Sequence, residues 1–232
     1  MKNSTALVLF ADANYLDPAK ALIYGAVSTG KWSQDIVFVP YPDVSDEEAS
    51  WFTQRGIIVK RFEKAVDAGE ISNIASAQFN KLNLFDTYFK RWRRVVYLDC
   101  DIMIFREMSQ LLRLDCGNTI MVDGEDWPEG LASQFLANRD PTLFEQLKTE
   151  FGDISVKNFN TSSMVFDTNL IQTETLPKLL EITQKYLPII RTSDQSTLNL
   201  FFYQKWKQLP KGTIAFIGNP NPLGMIVHVA RI

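Results

Sequence analysis

Short β-rich apolar runs alternate with helical patterns along the chain, and this alternation is the feature that most restricts its fold. The first apolar runs are TALVLFA (5–11), DIVFVP (35–40) and IIVKRF (57–62). Between them lie PAKALIYGAVSTG (18–30), with proline near its first turn and glycine past its end, and SDEEASWFTQRG (45–56), which opens with a capping-box pattern. Strands that alternate with helices predict an α/β layered domain with a largely parallel sheet.

The same alternation continues through the second half of the chain. A helical pattern from about 74 to 89 leads into the apolar run 95–98, and TIMVDG (119–124) precedes a polar, helical stretch at about 128–150. The remaining predicted elements are a strand at NTSSMVFD (160–167), helices at 174–187 and 194–206, and a last strand at MIVHVA (225–230). Since no repeat or low-complexity linker interrupts the series, we expect one domain over residues 1–232.

Composition narrows the class of protein. The 232 residues are 46% hydrophobic and 22% charged, which is ordinary for a globular chain long enough to bury a core. A net charge of −3 argues against a nucleic-acid binder, which usually carries a basic excess. Two cysteines, Cys100 and Cys116, do not suggest a disulfide framework, and the first apolar stretch is too short to span a membrane. We therefore expect a cytoplasmic protein without a targeting segment.

Two aspartates interrupt the apolar run RVVYLDCDIMIF (94–105). An isolated charge in an apolar interior is strongly disfavoured unless it is paired or bound to a metal. Asp99 and Asp101 are two residues apart, so an extended backbone would direct both carboxylates to the same side. Such a pair suits a hard cation such as Mg²⁺ or Mn²⁺. We expect 95–98 to be buried, the aspartates to face a ligand, and 102–105 to return to the core.

Other polar residues follow predicted strands in the same way. Asp12 and Asn14 come directly after the first strand, and Asp123 follows the strand at 119–124. In open α/β sheets, ligands bind beyond the carboxyl ends of the strands. These residues are therefore predicted to share a site with the aspartate pair.

The segment YLDCDIMIF (97–105) resembles the strand and DxD signature of the retaining nucleotide-sugar glycosyltransferases of family 8, the group that includes glycogenin and bacterial lipopolysaccharide galactosyltransferases. LFADANY (9–15) is similar to the first strand and nucleotide-binding turn of that family. Further similar segments follow in the same order: FNKLNLFDTYFKRWRRVVYLDCD (79–101), FNTSSMVFD (159–167), SDQSTLNLFF (193–202) and IVHVA (226–230).

The resemblance implies a GT-A-type fold, a single Rossmann-like mixed sheet flanked by helices, and transfer of a hexose or related sugar from a UDP-sugar to a hydroxyl group with retention of configuration. A glycan, a lipid-linked molecule or a protein is the implied acceptor. A Mn²⁺ or Mg²⁺ ion is expected at Asp99, Asp101 and His228, and Asp194 and Gln195 are expected as catalytic residues beside the anomeric carbon. The expected donor contacts are Ala11, Asp12, Asn14, Tyr15, Lys81, Asp99, Cys100, Asp123, Asn160 and Thr161.

Taken alone, several of these residues also have an ordinary structural explanation. Asp12 could simply end its strand through an Asx turn, Lys81 could be a solvated helix lysine, and Asp194 could cap the following helix. The acidic loop DGEDWPEG (123–130) has two interpretations. Either Glu125, Asp126 and Trp127 contact a sugar, or the loop is exposed and Trp127 packs into the core.

The sequence departs from the family pattern at two positions. Ser162 stands where FNSG has its glycine, and Arg231 stands where the family continues with glycine and then lysine after His228. Either Arg231 substitutes electrostatically, or the domain is truncated or part of a longer protein. The basic segment from Lys90 to Arg94 is either a cationic helix end or a patch for peripheral contact with an anionic membrane.

Three rival functions share some of these features. Haloacid-dehalogenase-like phosphatases also use a DxD after a strand, but place it in the first strand. A nucleotidyltransferase would need a Gly-rich, basic phosphate loop near the N-terminus, which the sequence lacks. A catalytically impaired nucleotide-sugar-binding domain is the third alternative.

Overall fold

The structure is a computed structural model and describes residues 5–67, 76–216 and 224–228. Its first strands, β1 and β2, have the predicted bounds. The helix predicted at 18–30 begins earlier, and the strand predicted at 57–62 is reduced to two residues. The elements of this half are β1 (Thr5–Ala11), α1 (Leu16–Ser28), β2 (Asp35–Pro40), α2 (Asp46–Thr53) and β3 (Ile58–Val59).

The predicted capping box is present at the start of α2. The hydroxyl of Ser45 accepts the backbone N–H of Glu48, and the Glu48 carboxylate accepts the backbone N–H of Ser45. The strands and helices that follow are β4 (Arg94–Leu98), β5 (Ile102–Ile104), β6 (Ile120–Glu125), α3 (Pro141–Phe151), β7 (Asn158–Asp167), α4 (Thr175–Tyr186), α5 (Asp194–Phe201), β8 (Trp206–Gln208), β9 (Ile214–Phe216) and β10 (Ile226–His228).

Seven strands form a mixed sheet in the order β3-β2-β1-β4-β7-β6-β8. The neighbours β3, β2, β1 and β4 are parallel, and β7 runs antiparallel between β4 and β6. The carboxyl ends of β1, β4 and β6 and the amino end of β7 therefore meet at one edge. A register shift opposite Val122 and Asp123 skips residues 161–163 of β7, which form a bulge at this edge.

Both faces of the central sheet are covered. Every residue of β1 is buried, with Ala6, Val8 and Phe10 in one apolar cluster and Leu7 and Leu9 in the other. Burial on both faces is typical of parallel strands in layered α/β folds. The expected α/β architecture is confirmed.

The residues after the aspartate pair differ from the prediction. β5, β10 and β9 form a separate three-stranded sheet, in which β10 pairs antiparallel with β5. Along β5, Ile102 and Ile104 are buried, whereas Met103 and Phe105 are each 55% exposed. Since side chains alternate between the faces of a strand, only every second residue of 102–105 reaches the core.

The segment predicted as a helix at 74–89 contains two 3₁₀ segments, at Ser76–Phe85 and Thr87–Arg91; residues 74 and 75 lie outside the described residues. Its polar side chains bond to backbone groups. Asn80 accepts the N–H of Ala65 at 3.0 Å, and Asp86 accepts the N–H of Tyr88 at 2.7 Å. Such contacts compete with a regular α-helix.

The polar stretch at 128–150 is also divided. A 3₁₀ turn covers Gly130–Gln134, and α3 starts only at Pro141 because the side chain of Asp140 accepts the N–H of Leu143. The helix predicted at 194–206 ends at Phe201.

The basic segment from Lys90 to Arg94 is only partly a surface feature. Arg94 is buried and donates to Asp167, and Lys90 donates to the carbonyl oxygen of Ile171. Its exposed cations are Arg91 and Arg93. Within the described residues, no helix has the length and apolar character needed to cross a membrane.

Candidate active site

A cleft of about 310 Å³ opens at the edge where β1 and β4 end. Its lining comes mainly from β1 and the turn after it, from β4 and the residues that follow it, and from the start of α5. The lining residues are Phe10, Ala11, Asp12, Tyr15, Tyr41, Gln78, Lys81, Tyr97, Asp99, Cys100, Asp101, Ser193 and Asp194.

Asp99, Asp101 and His228 come together as predicted. One ligand atom from each lies within 4.8 Å of the others, and Asp101 Oδ1 is 3.3 Å from His228 Nε2. His228 reaches this position because it pairs with Ile102, the residue after Asp101, in the small sheet. Burial lowers the pKa of His228, but its contact with Asp101 outweighs this effect and raises the pKa overall. Two carboxylates and an imidazole are a donor set for a divalent metal.

Asp99 is held by several partners. The hydroxyl of Tyr97 donates to Asp99 Oδ1, and Lys81 Nζ lies 3.0 Å from the same oxygen. The backbone N–H of Asp99 donates to the carbonyl oxygen of Ser162 in the β7 bulge at 2.7 Å. Burial raises the pKa of Asp99, and the positive charge of Lys81 offsets only part of that rise. Burial also raises the pKa of Tyr97, so that the phenol remains a donor.

Lys81 is buried between two carboxylates and is not a solvated helix lysine. Its Nζ lies 3.4 Å from Asp194 Oδ2 in addition to its contact with Asp99. Burial opposes the charged form, but the two carboxylates outweigh it and raise the pKa of the Lys81 ammonium. The cleft therefore contains a fixed positive charge beside the aspartate pair.

Asp194 does not cap α5. It is the first residue of the helix, Ser193 occupies the N-cap, and Asp194 Oδ2 accepts the hydroxyl of Thr161 at 2.9 Å. Ser193 has a φ of +50°, a conformation that is rare outside glycine. This backbone turns Asp194 into the cleft, and strain of this kind is characteristic of functional sites.

Gln195 and Asn160 meet at Glu125, which sequence reasoning had placed only as one possible sugar contact. Glu125 Oε2 accepts Gln195 Nε2 at 2.9 Å, and Oε1 accepts Asn160 Nδ2 at 2.8 Å. Oε2 also accepts Asn158 Nδ2 and Trp127 Nε1, each at 2.9 Å. One carboxylate at the end of β6 thus fixes the direction of both predicted site amides.

The end of β1 and the turn after it supply three of their four predicted donor contacts to the cleft: Ala11, Asp12 and Tyr15. Asp12 Oδ1 also accepts the N–H of Tyr15 at 3.1 Å, so that it both ends the strand and faces the cleft. Asn14 is exposed and is not among the lining residues.

Two other predicted donor residues have different surroundings. Cys100 lines the cleft, but it is buried, its thiol donates to Phe10 O at 3.2 Å, and burial raises its pKa. Asp123 lies outside the lining set and accepts Gln208 Nε2 at 2.5 Å; burial raises the pKa of Asp123 as well.

The structure describes the acidic loop after β6 and the bulge in β7. Trp127 is 52% exposed, so the interpretation in which it packs into the core is wrong. Asp126 in the same loop pairs with Lys157 at 2.9 Å. Ser162 is not among the described residues with a positive φ, so no left-handed backbone conformation favours a glycine at this position. Arg231 lies outside the described residues.

Five lining residues were not predicted from the sequence: Phe10, Tyr41, Gln78, Tyr97 and Ser193. Tyr97 carried a signal, because it lies two residues before Asp99 and so shares its face of the strand. Tyr41 follows β2 directly and could have been found as a further residue at a strand end.

The comparison with known families identifies the family of the chain. The sequence model of glycosyl transferase family 8 matches residues 6–212. The chain belongs to this family. Membership in family 8 favours a sugar-transferase domain over the phosphatase and nucleotidyltransferase interpretations.

Curated relatives agree with family 8 at low identity. Galactinol synthase 1 from Arabidopsis thaliana is 24% identical over 189 residues, which cover 78% of this chain and 53% of that protein. Glycosyltransferase GlyB from Streptococcus pneumoniae serotype 4 is 22% identical over 227 residues, which cover 93% of this chain and 49% of GlyB. The chain spans about half the length of the curated relatives it matches.

Solved structures support the GT-A fold. The bifunctional glycosyltransferase WbbM, in its apo form, matches 100% of this chain and 46% of its own, with a TM-score of 0.72 and 17% identity. The galactosyltransferase LgtC, in complex with donor and acceptor sugar analogs, matches 97% of this chain and 87% of its own, with a TM-score of 0.66 and 16% identity. Because the sequence identities are below 20%, these structural similarities show a shared fold and no more.

Proposed function

We propose that the chain transfers a hexose or related sugar from a UDP-sugar to a hydroxyl group of a glycan, lipid-linked or protein acceptor, with retention and with a bound Mn²⁺ or Mg²⁺ ion. The proposal is carried by one observation: Asp99, Asp101 and His228 present ligand atoms within 4.8 Å of one another, at the edge where the turn after β1 also opens. Membership in family 8 supports the transferase class, and retention rests on the family resemblance alone.

The residues fit a divalent cation by their chemistry, since two carboxylate ligands and one imidazole ligand lie together. When bound, such an ion would act as a Lewis acid toward the diphosphate leaving group of the donor. The protein prepares the site through Tyr97 and Lys81, which both contact Asp99 and so restrict its carboxylate. Orientation of this kind commonly affects metal affinity.

The remaining cleft residues divide into two groups by position. Asp12 and Tyr15 face the cleft from the turn after β1 and are suited to the nucleoside, with Tyr15 offering a ring. Lys81 supplies positive charge where a leaving diphosphate gains negative charge. Asp194 and Gln195, at the start of α5, are the candidates for contact with the transferred sugar.

Calorimetric titration with UDP, with and without Mn²⁺, tests the donor site. We expect binding that depends on the metal, and a loss of roughly 10²-fold in UDP-glucose hydrolysis in Asp101→Ala, because removal of a ligand weakens the metal site. Asp17→Ala is the matched control, since Asp17 is exposed and pairs with Lys20 on α1. The proposal fails if UDP does not bind with manganese present, or if Asp101→Ala hydrolyses UDP-glucose at the native rate.

A panel of UDP-sugars distinguishes a transferase from an impaired binding domain. Metal-dependent hydrolysis of at least one UDP-sugar is the expected outcome. Binding of UDP without hydrolysis of any panel member would instead indicate a nucleotide-sugar-binding domain. We also propose a cytoplasmic location, with which the buried free thiols of Cys100 and Cys116 are compatible.

A further inference from the structure

Tyr41 lines the donor cleft with a hydroxyl group that the protein itself does not use. Among the described residues, this hydroxyl makes no hydrogen bond. Tyr97, another tyrosine of the cleft, differs in this respect, because its hydroxyl donates to Asp99. A polar group in a partly enclosed site gains stability when a ligand supplies its partner. The Tyr41 hydroxyl is therefore available to a bound molecule.

The backbone holds Tyr41 in place at the end of β2. Tyr41 follows this strand directly and lies between Pro40 and Pro42. A proline fixes its own φ and restricts the residue before it to extended conformations. The N–H of Tyr41 also donates to Ala11 O at 2.8 Å, which ties the residue to the end of β1. Because Tyr41 is ordered before a ligand arrives, binding to it costs little additional conformational entropy.

The ring of Tyr41 belongs to a row of aromatic side chains in the cleft. Phe10 meets Tyr41 edge to face, with the ring centroids 6.3 Å apart, and meets Tyr97 in the same way at 6.0 Å. Lys81 Nζ lies 5.2 Å from the centroid of the Tyr97 ring. The row therefore leads from the end of β2 to the buried ammonium group beside the aspartate pair.

The surroundings of the Tyr41 hydroxyl suit a neutral polyol. Burial raises the pKa of Tyr41 well above its usual value, and the negative charges of Asp194 and Asp99 raise this pKa further, so the phenol stays protonated. The phenol can then donate a hydrogen bond, the carboxylates can accept one, and a sugar hydroxyl group can do both. A phosphate group would instead meet two carboxylates and a single ammonium, that of Lys81.

We propose that Tyr41 is a specificity-determining residue for the donor, and that its hydroxyl donates a hydrogen bond to a hydroxyl group of the transferred sugar. The inference rests on the proposed function, in which Asp194 and Gln195 contact the same sugar. A sugar hydroxyl between Tyr41 and Asp194 accepts from the phenol and donates to the carboxylate. An epimer that directs this hydroxyl elsewhere leaves both protein groups without a partner, and a site built to bond a hydroxyl rejects such an analogue.

Tyr41→Phe tests the hydrogen bond, because it removes the hydroxyl and keeps the ring against Phe10. Calorimetric titrations with Mn²⁺ present compare UDP with intact UDP-glucose, UDP-galactose and UDP-N-acetylglucosamine. We expect the variant to bind the preferred UDP-sugar about fivefold more weakly, as for the loss of one hydrogen bond, and to bind UDP within about twofold of the native affinity. Tyr24→Phe is the matched control, since Tyr24 is 75% exposed on α1.

Deoxygenated donors identify the hydroxyl group that Tyr41 contacts. Analogues of the preferred UDP-sugar that lack the oxygen at C2, C3, C4 or C6 are titrated into the native protein and into Tyr41→Phe. The native protein should bind one analogue more weakly than the parent sugar, and Tyr41→Phe should not weaken the binding of that analogue further. Such a loss of sensitivity is the mark of a direct pairwise contact.

Four results would overturn the assignment of Tyr41. They are native affinities in Tyr41→Phe, an equal loss of affinity for UDP and for the UDP-sugar, an equal effect of the variant on every deoxygenated analogue, and a native protein that binds UDP but no UDP-sugar of the panel. A native protein that does not bind UDP with Mn²⁺ present would overturn the proposed function, and the role of Tyr41 with it.

Discussion

At the scale of single residues, Glu125 connects the parts of the candidate site. Its two oxygens accept the side-chain N–H groups of Asn158, Asn160, Gln195 and Trp127. Because each amide donates its NH₂ group to this carboxylate, the amide oxygens point elsewhere, as when Asn160 Oδ1 accepts the N–H of Ser162. A charged acceptor forms stronger hydrogen bonds than a neutral one. Glu125 therefore acts as a positioning residue.

Glu125→Gln tests this role. The variant keeps the shape but adds a donor where four donors already converge, so Gln195 and Asn160 should lose their orientation. We expect kcat for UDP-sugar hydrolysis to fall by about 10²-fold, because small displacements at a reacting centre cost that much. The affinity for UDP should remain within about twofold.

Glu145→Gln is the control for this substitution, since Glu145 is exposed on α3 and pairs with Lys148. Steady-state kinetics and UDP calorimetry on the three proteins provide the comparison. An equal loss of UDP affinity and kcat would point to general damage of the fold, and an unchanged kcat would show that the amides keep their orientation without the charge.

Several residues of the candidate site could be predicted from the sequence, but their hydrogen-bond partners could not. Asp99 and Asp101 could be predicted because carboxylates inside an apolar run need a partner. The convergence of Gln195 and Asn160 on Glu125 could not, because it depends on the antiparallel course of β7 and on the bulge at 161–163. Asp123 and Glu125 are two residues apart on β6, and this spacing predicts the same face for both. That Asp123 binds Gln208 while Glu125 binds Gln195 follows only from the register of the neighbouring strands.

At the scale of elements, the 3₁₀ turn Gly130–Gln134 is tightly confined. Gly130 has a φ of +55°, and a Cβ added to it would lie 2.2 Å from Ser155 O and 2.4 Å from Val156 O. Leu131 and Ala132 bond to the same segment through the N–H of each, to Val156 O and Ile154 O. Gln134, the last residue of the turn, lines a cavity of about 220 Å³ together with Glu125 and Gln195, so the close approach at Gly130 helps to set the position of that side chain.

Gly130→Ala should therefore destabilise the protein more than a positive φ alone explains. The control is Gly152→Ala, since Gly152 has a φ of +78° but an added Cβ would meet no atom within 4 Å. We expect a loss of about 1–2 kcal/mol at Gly152 from the backbone conformation. At Gly130 the steric overlap should add about 1–3 kcal/mol. Urea denaturation measures both, and equal losses would contradict the close approach.

Helix ends that are set by interactions between residues close in sequence were predicted well. The capping box of Ser45 and Glu48 lies within four residues, and α2 begins where it predicts. The segment at 74–89 was predicted incorrectly because Asn80 bonds to Ala65, a partner that the helical periodicity does not reveal. Local chemistry predicts element boundaries only where the deciding partners are also local.

At the scale of the whole molecule, Arg94 joins the central sheet to the segment that follows β5. Its Nε donates to Asp167 Oδ1 at 2.8 Å, and its remaining nitrogens donate to Leu111 O at 3.1 Å and Leu114 O at 2.6 Å. Arg94 is 2% exposed. Removal of one partner from a buried ion pair leaves the other charge uncompensated.

We expect Arg94→Met to lower the free energy of unfolding by about 3–5 kcal/mol. Arg93→Met, at the exposed neighbouring position, should change it by less than about 0.5 kcal/mol. Chemical denaturation of both variants provides the measurement. Similar small effects for the two arginines would mean that Asp167 and the two carbonyl groups are satisfied without Arg94.

The three-stranded sheet of β5, β10 and β9 joins two distant parts of the chain at the candidate metal site. Asp101 and His228 are neighbours in space but lie far apart along the chain, so the pairing of β10 with β5 closes a long loop at a cost in conformational entropy. A chain still emerging from the ribosome would have its aspartates long before its histidine. An ion bound by Asp99, Asp101 and His228 would favour the paired arrangement by mass action and so stabilise the position of β10.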